Sequence, residues 1–144
     1  MADTYDALAG LPLEIEEYAL EGHALTVSSG FERLTTLIRL RGDGEEGIGE
    51  DVTYDADDQR RQQDLGPVLA LGGRWTLASF AAHVAGLDLF PGGAPEQPAF
   101  LLYRRWAFES AALDLALRQA GTSLAEAVGR EPRPISFVVS SRMG

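Results

Sequence analysis

The chain has 144 residues, 22 acidic against 12 basic, and a formal net charge of −10. That length suits one domain, and the charge argues against nucleic acid and anionic membrane surfaces, which both need clustered cations. There is no cysteine, and every basic residue is an arginine. Disulfides, thiolate chemistry, Schiff bases and lysine general bases are therefore excluded. No apolar run reaches membrane-spanning length and the N-terminus lacks a basic signal-peptide start, so a cytoplasmic location is expected.

In chain order, residues 13–21 alternate apolar and acidic positions around a break at Glu16 and Glu17, and read as a strand with a bulge. Residues 22–32, with His23, Ser28, Ser29, Gly30 and Phe31, read as a loop. Residues 34–41 and 47–54 read as strands joined at Asp43-Gly44, the strongest short hairpin signal. A two-residue turn there sets Arg41 opposite Glu46 and Leu37 opposite Glu50. It also puts Glu50 on a half-buried face within diagonal reach of Arg39. Residues 51–65 are polar and read as turns.

Thr76 is a fitting N-cap for a helix whose apolar positions Leu77, Phe80, Val84 and Leu87 keep a 3.6-residue period. The prolines and glycines of residues 90–98 force a loop. A long helix over residues 99–120 stops at Gly121, and Ser123 with Glu126 forms a capping box for a short final helix. Residues 135–140 read as a last strand. The elements are segregated, not alternating, which is the α+β pattern.

Candidate chemistry is sparse. Eight acids and no base lie between Asp43 and Asp58, but calcium-loop spacing fails and a solvated hairpin end explains them better. His23 and His83 share no zinc spacing. No serine has a nucleophile-elbow context. Gly42, Gly44, Gly47 and Gly49 sit in a hairpin and open no helix, so a dinucleotide fingerprint fails. Glu109 and Asp114 are five apart on a helix and point away from one another, toward Arg105 and Arg118 respectively. Catalytic and metal-binding residues are accordingly expected to be absent.

Three stretches together resemble the N-terminal capping domain of the enolase superfamily, in its mandelate racemase and muconate lactonizing enzyme group. They are the strand–loop–strand start from Leu11 to Arg39, the G-x-G-E of Gly47 to Glu50, and the helix and turn from Ala107 to Gly129. In the last, Ala107, Glu109 (where the family has Asp), Ala111, Asp114, Leu115, Ala120, Gly121, Leu124 and Gly129 follow the family's order without a gap.

The resemblance implies a three-stranded antiparallel sheet followed by a small helical bundle over residues 1–131. Residues 132–144 would then be a linker and the first strand of an absent (β/α) barrel. It implies two capping loops, residues 22–33 and 51–58, with His23, Phe31 and Tyr54 facing substrate and Ser140 and Ser141 at the mouth of the first barrel strand. A full-length parent would be a magnesium-dependent lyase, racemase, epimerase or cycloisomerase that abstracts a proton next to a carboxylate. This chain, without lysine or later barrel strands, would be inactive alone, carry no cofactor and expose apolar surface that favours homo-oligomers. The alternative is a stand-alone, non-catalytic domain for partner binding or homo-oligomer assembly.

Overall fold

The computed structural model describes residues 3–140. The architecture is α+β with antiparallel sheets. α1 (Thr4–Leu8) leads into β1 (Pro12–Ile15), then the sheet-forming β2 (Glu17–Thr26), β3 (Glu32–Gly42) and β4 (Glu45–Asp51). α2 (Ala56–Leu65), β5 (Gly73–Thr76), α3 (Leu77–Ala85), α4 (Phe100–Ala120) and α5 (Leu124–Ala127) complete the elements. β2, β3 and β4 form one three-stranded sheet in chain order, while β1 pairs antiparallel with β5 in a separate ribbon. Among the described residues no helix is long and apolar enough to cross a membrane.

The β3–β4 hairpin has the register that its turn dictates: Arg41 pairs with Glu46 and Leu37 with Glu50. Asp43 and Gly44 both have positive φ, 49° and 76°, which that tight turn requires. The face assignment of Glu50 needs correction. Gly47, Gly49 and Asp51 are the buried positions of β4, while Ile48 and Glu50 face outward. Helix α4 decides this, since it lies directly on the strand. A Cβ at Gly47 would overlap the backbone of Ala111 and Leu115, and one at Gly49 the carbonyl oxygen of Ala107. The G-x-G pattern is thus a seat for a helix. Arg39 pairs with Glu21 and Glu46 and not with Glu50.

Several other expectations are revised. Residues 13–21 are two strands, because at Glu16 the chain leaves the β1–β5 ribbon and enters the larger sheet. Residues 22–26 are strand and not loop, since they pair in unbroken register with residues 32–36, which shortens the tip to residues 27–31. Residues 56–65 form α2 where turns were expected. Its buried positions Asp58, Gln59 and Gln62 are polar, so an apolar stripe was never there to read. Residues 135–140 form no strand: Ile135, Phe137, Val138 and Val139 are 72–97% exposed. Extended chain becomes a strand only by pairing, and among the described residues no strand pairs with it.

The core lies between the inner face of the sheet and α3 and α4, with Ile38, Leu40, Phe80, Val84, Phe108, Ala111 and Leu115 at 1% exposure or less. Thr76 and Ser123 each close a reciprocal capping box at the starts of α3 and α5, and Gly121 ends α4 in the left-handed conformation. Asp114 accepts from the edge amide of Ile48 as well as from Arg118, so its role is structural. His83 ends α3 against the Ala70 carbonyl, stacked on Trp75.

Gln119 fastens the end of α4 to both sheets. It accepts from the Glu14 amide and donates to the carbonyls of Glu14 and Gly42. Gln119→Leu strands all three groups and is expected to cost about 1–3 kcal/mol, read as a lower urea midpoint at unchanged slope.

Candidate functional site: the two-loop tip

Two chain segments meet at one end of the sheet. The β2–β3 turn closes with Val27 N–H donating to the Phe31 carbonyl and Gly30 N–H to the Val27 carbonyl. The segment after β4, residues 52–55, runs alongside it. Phe31 and Tyr54 stack across the junction with ring centroids 5.9 Å apart and planes 11° from parallel. Arg33 completes the contact. Its guanidinium lies 4.0 Å from the Tyr54 ring centroid, and its Nη2 donates to the Val52 carbonyl at 2.7 Å. Phe31 and Tyr54 remain 46% and 64% exposed, so the stack presents apolar surface to whatever lies beyond it.

The second segment is held from beneath by buried polar side chains. Arg104 of α4, 2% exposed, donates from Nε to Asp51 at 2.6 Å and from Nη1 and Nη2 to the carbonyls of Leu89 and Asp58. Its guanidinium also lies 3.7 Å from the centroid of the Phe90 ring. Burial pulls the Arg104 guanidinium below its ordinary pKa, and the Asp51 carboxylate opposes that shift. Asp51 accepts in turn from the Thr53 amide. Gln59 donates to the carbonyls of Asp51 and Thr53 and accepts from the Thr36 hydroxyl at 2.6 Å. A loop whose carbonyls and amide are bound in this way costs little to hold still when a ligand arrives.

Of the residues expected to face a substrate, Phe31 and Tyr54 are brought together. His23 is on β2, exposed on the outer face of the sheet, with Nε2 2.7 Å from Glu21. Ser140 lies on the exposed stretch after α5 and takes no part in the tip's hydrogen bonds. Ser141 falls outside the described residues. Sequence reasoning passed over Arg33, Asp51, Gln59 and Arg104. A signal existed for Arg104. It occupies the buried stripe of α4 with Phe100, Ala107, Phe108 and Ala111, and a cation there demands a buried partner.

The acids of this end are committed. Asp55 caps α2 by accepting from the Asp58 amide, and Asp58 accepts from Arg61 and from the Glu96 amide. Asp55 and burial raise the pKa of Glu96, whereas hydrogen bonds from Arg39 and Arg41 lower those of Glu21 and Glu46. The two effects on stability have opposite signs. The support from Glu21 and Glu46 is present above the ordinary carboxylate range and is lost as pH falls below it. The repulsion at Glu96 is present above its raised pKa and is relieved on acidification. Glu96→Gln should therefore raise the melting temperature at pH 7 and leave it unchanged at pH 3. Glu46→Gln should lower it at pH 7 and by less at pH 3. Paired thermal melts at both pH values check each sign.

Residues 6–127 match the family model described as the N-terminal domain of the domain of unknown function DUF8230. Neither the curated proteins nor the solved structures contain a significant match. The matched span covers most of the chain, and the protein belongs to the DUF8230 N-terminal domain family.

Proposed function

We propose that this domain caps the active site of an adjoining (β/α) barrel, in the manner of the enolase-superfamily capping domains that its sequence resembles. The observation that carries the reading is the Phe31–Tyr54–Arg33 stack, in which two loops separated in sequence are joined, anchored from below and left open above. The family's description as an N-terminal domain supports it, as does the exposed apolar stretch Ile135, Phe137, Val138 and Val139, which a barrel would cover as its first strand.

In this reading the complete enzyme is cytoplasmic and abstracts a proton next to a carboxylate, with Mg²⁺ stabilising the enediolate. It is a lyase or an isomerase: a racemase, epimerase or cycloisomerase. The carboxylates of this domain's tip are occupied by Arg104, Arg61 and backbone amides, so they do not suit the metal, and no catalytic role is assigned to this chain. The domain supplies shape: Phe31 and Tyr54 bear on the substrate, and the Arg104 network holds them in place.

A second reading is a stand-alone domain that assembles with itself or a partner. It draws on the half-exposed Leu101, Leu102 and Trp106 at the start of α4.

The intact mass of the protein expressed from its natural gene separates the two. A species larger by roughly 250 residues supports the cap, and a single stable species of 15.5 kDa removes it. In the larger species, Phe31→Ala and Tyr54→Ala are expected to raise KM and shift substrate preference about tenfold, with Mg²⁺ affinity unchanged. Those effects match about 1.4 kcal/mol of lost contact. Substrate kinetics equal to the wild type would place the stack outside the active site.

A further inference from the structure

The two edges of the three-stranded sheet are finished differently. Val27 N–H donates to the Phe31 carbonyl, which makes those two residues a hydrogen-bonded pair. Carried down the register, that alternation bonds the odd residues of β2 to β3. The amides and carbonyls of Leu20, Gly22, Ala24 and Thr26 then point away from the sheet. On the opposite edge the same alternation turns the Ile48 amide outward, and there the Asp114 carboxylate of α4 accepts it. β4 is closed in this way. Among the described residues nothing bonds to the outward groups of Leu20, Gly22, Ala24 or Thr26, and residues 21–26 are all exposed.

Exposed edges are normally blunted by brevity, by proline or by a charge on the inner face. β2 has ten residues and no proline, and its inner positions Leu20, Gly22, Ala24 and Thr26 are uncharged. What such an edge accepts is read from its outer-face residues, Ala19, Glu21, His23 and Leu25. These are self-complementary about Gly22. An antiparallel copy centred there sets Glu21 opposite His23 of the second copy and Ala19 opposite its Leu25, each twice. Leu20 then meets Ala24, and Gly22 meets Gly22, as hydrogen-bonded pairs, which is what the outward direction of their backbone groups requires. Centring on Glu21 would set two carboxylates face to face. Centring on His23 would oppose two imidazoles and leave Glu21 against Leu25.

We propose that two copies of this chain pair β2 against β2 about a two-fold axis at Gly22, making one continuous antiparallel sheet from two three-stranded ones. A contact of this kind uses the same patch on both copies and closes at two. The pairing also covers Leu25, which is 66% exposed in the single chain. The overlap is short against the roughly 1,600 Å² of a standard interface, so micromolar affinity is expected. The edge belongs to this chain alone, and the pairing stands whether or not the capping function holds.

The test is the light-scattering mass of the full chain from about 10 µM to about 1 mM, with amide hydrogen exchange at both ends of that range. A monomer–dimer equilibrium is expected. In the dimer the amides of Leu20, Gly22 and Ala24 should exchange about tenfold more slowly, while those of Glu21 and His23, already bonded to β3, barely change. Ala24→Pro removes an outward amide, where an edge strand tolerates proline, and should abolish the dimer with the melting temperature retained. His23→Glu gathers four carboxylates about the axis and should weaken the dimer by about tenfold or more without touching the backbone. The chain has no cysteine, so an oxidised mixture of Glu21→Cys and His23→Cys reads the register: a cross-link is expected in the mixture and in neither variant alone. A monomer throughout the range, a larger assembly, or a dimer that survives both Ala24→Pro and His23→Glu would overturn the pairing. So would a dimer abolished by Val138→Pro, which would put the exposed stretch at residues 135–139 on this edge instead.

Discussion

Asp51→Ala is expected to destabilise the protein by about 3–5 kcal/mol, because it leaves the Arg104 guanidinium buried without its counter-charge. Against the 5–15 kcal/mol that holds a typical domain together, that loss moves the urea midpoint far down. The damage has a location. The Thr53 amide loses its acceptor, so its hydrogen exchange should accelerate more than that of the buried strand β3. Replacing both partners, as Asp51→Leu with Arg104→Met, removes the stranded charge but leaves the carbonyls of Leu89 and Asp58 without their donor. The double variant should therefore recover part of the loss and not all of it. A cost below about 1 kcal/mol for Asp51→Ala would mean that water reaches Arg104 and that the loop is not anchored as described.

Gly49→Ala is the second large effect. The added Cβ overlaps the Ala107 carbonyl oxygen and crowds the Ala111 amide, both of them helix backbone, which cannot rotate away as a side chain can. Helix α4 must lift from β4, and the expected cost is about 3 kcal/mol or more, the upper end for overpacking. Gly22→Ala provides the contrast. There the nearest atoms to the new Cβ belong to the side chain of Gln63, which can swing aside at the loss of its bonds to Thr35 and Thr36, so a cost of about 1–2 kcal/mol is expected. Equal urea midpoints for the two variants would refute the close seating of α4 on β4. The pair also bears on the tip, because the register of α4 on β4 sets where Arg104 meets Asp51.

Local signals in the chain were read correctly where the physics is local. Asp43-Gly44 imposes one hairpin register because few residues accept positive φ twice in succession. Thr76 and Ser123 start helices because each satisfies a backbone amide three residues away. Gly121 ends α4 for a reason contained in its own backbone. Phe31 and Tyr54 were singled out by the family resemblance and not by a local signal, and their stacking was not legible in either.

Other features depend on partners far along the chain. β1 is a strand only because β5, some sixty residues on, arrives beside it. α2 hides behind a polar sequence because its buried face bonds to Thr36, Asp51 and Thr53 instead of packing on apolar groups. His23 became a strand residue, and Glu50 an outward one, once β3 and α4 had claimed the opposite edge and face. The strand expected at residues 135–140 shows the same dependence in reverse, since its residues favour strand but pair with no strand among the described residues. By itself the sequence determined the Asp43-Gly44 turn and the helix caps, each settled within a few residues, and the α+β class, but not the full order of elements. Only the tertiary structure decided which face of β4 is buried, which charge Arg104 meets and which two loops touch, because those depend on bonds between residues that the chain alone does not bring together.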